Sequence, residues 1–136
     1  MGKEIKQEEV NSELKIVDFY FSEVEFRNSR LFGDSSVKIS YAVDNKKMED
    51  GNIRVEFTTK VIGEGQGIFL QLKAVGIFDV TTIADAENKE FIEKIATVTA
   101  MIPYIRSQVT LLTTQPGISQ LILPPIDVYK LIDKNK

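Results

Sequence analysis

The first half of the chain alternates apolar and polar residues with the period of β-strands. In the clearest stretch, IRVEFTTKV, every second residue from Ile53 to Val61 is apolar or threonine, and the residues between them are mostly charged. Side chains of a strand point alternately to two faces, so this pattern predicts a strand with one buried face. Three further segments alternate in the same way: LKIVDFYFSEVEFR from Leu14, VKISYAVD from Val37 and IFLQLKAVGIFDV from Ile68.

Short turns connect these predicted strands. The alternation of the first segment slips near Glu23, which predicts a bend or a bulge. Asp50-Gly51 and the GEGQG run at residues 63–67 are typical of hairpin turns. A phosphate-binding loop would open a helix, whereas GEGQG opens a strand, so the hairpin interpretation is preferred. We therefore predict an antiparallel meander of four strands.

The second half of the chain has the apolar period of a helix. Apolar residues recur at spacings of three and four from Phe91 to Leu112, and the stripe stays in phase through Pro103. Two independent helices would not need to share a phase, so we predict one long helix, kinked at Pro103 and capped by Asp85. The segment ISQLILPPIDV is then expected to be extended, and VYKLID predicts a short C-terminal helix.

Together these elements predict an α+β fold in which a four-stranded antiparallel meander sheet is packed by one long helix and a short C-terminal helix. The length of 136 residues suits a single domain, which we assign to residues 13–134. Residues 1–12 are polar and are expected to form a flexible N-terminus.

The predicted elements carry more apolar side chains than such a monomer can easily bury. The strand that begins at Ile68 is apolar on much of both faces, and Ile92, Met101 and Leu111 lie off the main stripe of the helix. Two interpretations stay open: an ordinary scatter of surface hydrophobes, or an oligomer interface together with a peptide-binding groove.

The composition narrows the available chemistry. The chain contains no cysteine and no histidine, which excludes disulfides, thiol and imidazole catalysis, and histidine-ligated zinc. Glu23, Glu25 and Glu56 are expected on solvated strand faces. The DNKKMED run at residues 44–50 lacks the alternating ligands of a calcium loop. Because no nucleophile or acid–base pair can be identified, we predict that the protein is not an enzyme and uses no metal or cofactor.

Charge and hydropathy bear on partners and location. Twenty acidic and seventeen basic residues give a net charge of −3 without a basic stripe, so nucleic acid is not an expected partner. No segment reaches the roughly 18 continuous apolar residues of a membrane span. The N-terminal run MGKEIKQEEV lacks the apolar stretch of a signal peptide. We therefore expect a cytoplasmic protein that does not insert into membranes.

Three short motifs occur in order in the C-terminal half of the chain. They are GIF at residues 76–78, IPYIR at residues 102–106 and GISQLILPPID at residues 117–127. Their order and separations resemble those of the SecB family of protein-export chaperones, and the similarity spans roughly residues 13 to 132. The segment LKIVDFYFSEVEF also looks like the first strand of that family.

The resemblance implies a SecB-like fold, an assembly and a function. The assembly is a homotetramer built as a dimer of dimers. The function is that of an ATP-independent molecular chaperone, a holdase, which binds unfolded polypeptide clients in apolar grooves and serves protein export through the Sec translocase, with the SecA motor as a further partner. A chain without a catalytic inventory is compatible with such a role.

The resemblance also implies three sets of site residues. Peptide binding would involve the face of the second strand, the link after the first strand, one helix residue and the segment after the helix; its residues are Phe26, Leu31, Phe32, Ile39, Tyr41, Val43 and Tyr104. The tetramer contact would involve Leu70, Leu72, Ala74 and Ile92. The face that docks on SecA would include Glu23, Phe69 and Gln71.

Two departures from the family keep alternatives open. Arg27 and Gln71 stand where the docking face of the family has acids, which weakens the complementarity to a basic partner. One alternative is therefore a SecB-like chaperone uncoupled from SecA and dedicated to a specific client, such as an unstable antitoxin. An alternative from another class is a small-molecule carrier with a pocket between the helix and the sheet.

Overall fold

A computed structural model describes residues 14–81, 89–118 and 120–134. Its elements, in chain order, are β1 (Lys15–Asn28), β2 (Lys38–Lys47), β3 (Ile53–Gly63), a short helical turn (Glu64–Gln66), β4 (Ile68–Asp79), α1 (Lys89–Leu112) and α2 (Val128–Lys134). The predicted four strands, long helix and short C-terminal helix are confirmed. The predicted cap Asp85 and the N-terminal residues 1–12 lie outside the described residues.

The four strands form one antiparallel sheet in the order β1-β4-β3-β2. The meander therefore comprises β2, β3 and β4, and the structure differs from the predicted four-strand meander in that β1 pairs with β4 rather than with β2. The reason is the link of residues 29–37, which is long enough to carry the chain across the end of the sheet, whereas tight turns join the other strands. As a result, β1 and β2 are the two edges.

Two register shifts interrupt β1. One lies between Phe21 and Glu23, which confirms the predicted slip, and the other lies between Ile16 and Asp18. A bulge adds one residue and so exchanges the two faces of the strand beyond it. For this reason Phe21 and Phe26, whose positions differ in parity, both pack against the core.

The core lies between one face of the sheet and α1. Most of its fully buried members come from β3, β4 and α1, and Leu123 from the segment after α1 joins them. Those of the three elements include Val55, Phe57, Val61, Leu70, Leu72, Ala74, Val98, Met101, Ile105 and Val109. Gly76, from the GIF motif, is required by this packing. A Cβ atom at Gly76 would lie 2.6 Å from the Phe78 ring and 3.3 Å from Sδ of Met101.

Helix α1 runs without interruption through Pro103, as the phase of its apolar stripe predicts. Proline has no N–H to donate to the carbonyl of Thr99, but both residues are exposed, so water can hydrate that carbonyl. Within the described part of the chain, neither helix has the length and apolarity needed to cross a bilayer.

Candidate functional site

An apolar groove opens along the β2 edge of the sheet. Ile39 and Tyr41, two half-buried residues on the core-facing side of β2, meet the segment that follows α1. The groove has a volume of about 700 Å³, and its lining includes Ile39, Tyr41, Pro125, Ile126, Lys130 and Leu131. The structure thus brings together two of the predicted peptide-binding pieces. Val43 lies further along the same side of β2, half-buried against the core.

Tyr41 gives this groove an aromatic wall with a polar tip. Its ring meets Phe57 edge-on, with 5.9 Å between the ring centroids and an interplanar angle of 85°. Its hydroxyl is buried and has no hydrogen-bond partner among the described residues. Burial raises the pKa of Tyr41, an effect that nearby Arg106 opposes. An unpaired buried hydroxyl costs about 1–3 kcal/mol.

A second cavity lies beside the link between β1 and β2. It has a volume of about 270 Å³, and Arg30, Leu31, Phe32, Gln66 and Ile118 contribute to its lining. Leu31 and Phe32 are exposed, and Phe32 is 92% exposed. Phe26, which was predicted to join them, is instead half-buried against the core.

Three backbone hydrogen bonds fasten this link to the GEGQG turn. The N–H groups of Ser29, Leu31 and Gly33 donate to the carbonyls of Gly67, Gln66 and Gly65, at 2.8, 3.1 and 2.8 Å. The link is therefore held in place and presents its apolar side chains outward.

One glycine of the turn and one of the link make this contact possible. A Cβ at Gly65 would lie 2.3 Å from the carbonyl oxygen of Asp34, and a Cβ at Gly33 would lie 2.7 Å from the carbonyl oxygen of Gly65. The hairpin interpretation of GEGQG is confirmed, since the run joins β3 to β4. Its second role, holding the link between β1 and β2, was not predicted, because nothing in the local sequence pattern indicates which segment crosses the turn.

Replacing Gly65 with alanine tests this docking. The added methyl group has to displace backbone atoms of the link, so we expect the free energy of unfolding in urea to fall by about 1–3 kcal/mol. The matched control is Glu64→Ala, at the exposed neighbouring position. A G65A midpoint equal to that of E64A would show that the link does not depend on this approach.

Tyr104 belongs to the opposite side of the molecule. It is half exposed on α1, and its ring lies 4.9 Å from that of Phe19 in β1. Because β1 and β2 are opposite edges of the sheet, Tyr104 does not join the β2 groove. The predicted peptide-binding residues therefore fall into three surface places, namely the β2 groove, the link, and the contact between α1 and β1, while Phe26 packs against the core from β1.

Three of the residues predicted for the tetramer contact are buried within the single chain. Leu70, Leu72 and Ala74 have no exposed surface, because α1 covers the face on which they lie. Within one chain they are core residues, and their role in a tetramer contact stays a prediction. Ile92 is 41% exposed on α1, beside a shallow apolar cavity that also includes Phe91. For Ile92 an interface role stays a prediction.

The face of the sheet opposite α1 is the open face. It carries the predicted SecA-docking residues Glu23, Phe69 and Gln71 side by side. Nε2 of Gln71 donates to both carboxylate oxygens of Glu23, at 3.2 and 3.1 Å. The guanidinium of Arg27 lies 4.6 Å from the ring centroid of Phe69, and its Nε is 3.1 Å from Glu25. Arg27 thus covers the apolar residue and engages one acid of this face.

A further acid on the open face, Glu56, is held by two cations of the same chain. Nη1 of Arg54 lies 3.2 Å and Nζ of Lys73 lies 3.4 Å from its carboxylate. Hydrogen bonding to Arg54, with a smaller contribution from Lys73, lowers the pKa of Glu56. The acids of this face therefore present little uncompensated charge to a basic partner.

The acidic side chains in the described part of the chain were predicted to be solvated residues of strand faces and turns. Within those residues no three acidic side chains lie close enough to hold a metal ion. Asp34 accepts a hydrogen bond from Ser36, and Asp79 accepts one from Thr81, two residues further along the chain in each case. These hydrogen bonds lower the pKa of both carboxyl groups. The layer between α1 and the sheet is filled by core side chains, so the cavities described above open at the sheet edges, unlike the enclosed pocket of a carrier.

The fold and these surfaces define a class of protein: a single antiparallel sheet, covered on one face by a long helix and flanked by open apolar grooves. The chain belongs to the SecB family. The family model described as "Preprotein translocase subunit SecB" matches residues 7–136.

A solved structure is similar in fold. It is the SecB-like chaperone Rv1957 of Mycobacterium tuberculosis, in complex with a ChAD peptide from the Rv1956 HigA1 antitoxin. The TM-score is 0.60 at 15% sequence identity, and the match covers 93% of this chain and 100% of that one. Among curated proteins, none matches this chain.

Proposed function

We propose that this protein is an ATP-independent holdase that binds extended segments of unfolded polypeptides. The β2 groove carries the proposal, because Ile39 and Tyr41 line an open apolar channel beside a sheet edge. An extended segment can bury alternate side chains in such a channel and pair its backbone with an edge strand. Membership of the SecB family supports this function, and the related mycobacterial chaperone is itself solved with a peptide.

The experiment that tests this function measures client aggregation. A denatured client is diluted into buffer with increasing amounts of the protein, without nucleotide, and light scattering is followed. We expect suppression that saturates near one assembly per client, because binding removes the unfolded form from the aggregation pathway. No slowing at any ratio would contradict the proposal.

We further propose a cytoplasmic homotetramer, a dimer of dimers. Support comes from apolar side chains that the single chain leaves exposed on β1 and α1, namely Val17, Val24, Phe91 and Ile92. An uncovered apolar surface of this kind is typical of an interface. Several grooves on one assembly would also bind one long client more tightly than a single groove does.

Delivery of clients to the Sec translocase through SecA is our proposal for the cellular role. The open face argues for a second candidate, a SecB-like chaperone dedicated to one client and uncoupled from SecA. Its support is specific: Gln71 is paired with Glu23, and Arg27 covers Phe69, so a basic partner finds little free negative charge.

Arg27→Glu separates these two roles. Reversing this charge restores an acid beside Phe69, so we expect SecA to bind about fivefold tighter at low salt, with the gain lost at high salt. The matched control is Lys46→Glu, which makes the same charge change at the β2 end of the sheet. Equal SecA affinities for R27E and K46E would show that Arg27 does not limit docking.

A further inference from the structure

One wall of the β2 groove is formed by the segment after α1. Pro125 and Ile126 line the groove, and residues 120–127 form neither helix nor strand. Pro124 and Pro125 have no N–H to donate to a sheet ladder. Contacts other than a ladder therefore hold this wall in place.

Two threonines at the end of α1 hold one residue of this segment by its backbone. The hydroxyl of Thr110 donates to the carbonyl of Leu121 at 3.3 Å, and the N–H of Leu121 donates to Oγ1 of Thr113 at 2.8 Å. Thr113 is 3% exposed, and its hydroxyl donates to the carbonyl of Val109 at 2.9 Å. A hydroxyl donates one hydrogen bond and accepts others, so Thr113 ties Leu121 to the backbone of α1. We call these two side chains, Thr110 and Thr113, the threonine clamp.

The chain between the clamp and the groove is short and stiff. Leu121 is half-buried against the core, and Leu123 is fully buried. Residues that precede a proline are biased towards extended conformations, which applies to both Leu123 and Pro124. The position of Leu121 therefore influences where Pro125 and Ile126 lie.

We propose that Thr110 and Thr113 are positioning residues of the client-binding site. They do not belong to the lining of the β2 groove and act through Leu121, by holding the segment so that it presents a fixed apolar wall to the client. A wall fixed in advance binds a client more tightly, because less conformational freedom is lost on binding. This inference rests on the proposed holdase function.

Thr113→Val tests the clamp, because valine has nearly the shape of threonine without the hydroxyl. The N–H of Leu121 loses its acceptor, so we expect the dissociation constant for a permanently unfolded client to rise about fivefold. Thr113→Ser keeps the hydroxyl and should stay within about twofold of the wild type. The matched control is Thr114→Val. Its hydroxyl contacts Gln120 and Thr110 rather than Leu121, so the affinity should again stay within about twofold.

A double variant separates positioning of the groove from a general loss of stability. Ile39→Ser removes an apolar contact of the same groove. In that background T113V should weaken client binding by less than about twofold, because residues that act through one site give losses that are not additive. A merely structural role of Thr113 would weaken binding by the same factor in both backgrounds.

Three results would overturn the clamp and leave the holdase function intact. They are wild-type affinity in T113V, which would show that burial of Leu123 holds the wall by itself, equal losses in T113V and T113S, and additive losses in the double variant. Failure of the wild type to bind the client would overturn both proposals. If T113V does not fold, Thr110→Val removes the other hydrogen bond of the clamp at a half-buried position, and the same comparisons decide the question.

Discussion

Leu72→Ala is expected to lower the free energy of unfolding by about 2–5 kcal/mol, the usual cost of truncating a fully buried leucine. Leu72 has no exposed surface and lies in the core between β4 and α1. The measurement is urea unfolding at two protein concentrations. A core role predicts a loss that is the same at both concentrations, because the damage lies within one chain.

The matched control for this variant is Ile92→Ala on the exposed side of α1. Within a single chain, I92A should lower the free energy of unfolding by only about 0.5 kcal/mol or less, as substitutions at other surface positions do. If Leu72 instead contacted a second chain, L72A would release folded subunits of normal stability. That outcome would contradict the core assignment and restore the interface role predicted from the sequence resemblance.

Ile39→Ser is expected to weaken client binding by about tenfold or more. The side chain lines the β2 groove while remaining half-buried, so a client side chain loses its apolar contact there. Burial of an aliphatic side chain of this size is worth about 1.5–3 kcal/mol. The measurement is the dissociation constant for a permanently unfolded client.

Leu111→Ser is the control for the groove. Leu111 is a large apolar residue, 65% exposed on α1, and it is not part of the β2 groove. Its replacement should change client affinity by less than twofold if the groove, rather than general surface hydrophobicity, binds the client. Equal losses for I39S and L111S would contradict the assignment of the groove.

The periodicity of the sequence was sufficient to predict the elements of the fold. The alternation in IRVEFTTKV and the unbroken stripe through Pro103 are local signals, and both correspond to observed elements. The position of β1 beside β4 was not predictable in this way, because strand pairing depends on a link whose path is set by distant contacts. The close approach of Gly33 and Gly65 is such a contact.

The same limit applies to β4. β4 is apolar on both faces, and this pattern suggested that some of its apolar side chains remain uncovered in the monomer and form an interface. In the structure Leu72 faces the helix, while Val75, on the other face, is fully buried beside its cross-strand neighbours Tyr20 and Glu56. Periodicity shows that both faces are apolar, but not which neighbours cover them.

The SecB resemblance placed several site residues where the structure has grooves, notably Ile39 and Tyr41. It could not indicate that Glu93 is buried, since a glutamate in a helix is an ordinary surface residue by pattern. In the structure the Glu93 side chain is 4% exposed, and its carboxylate lies 3.9 Å from Nζ of Lys47 in β2.

Light scattering coupled to size exclusion, with and without a permanently unfolded client, tests the central claim most directly. We predict a free assembly of four chains that co-elutes with the client in the absence of nucleotide. A monomer that passes through the column separately from the client would contradict both the assembly and the holdase function.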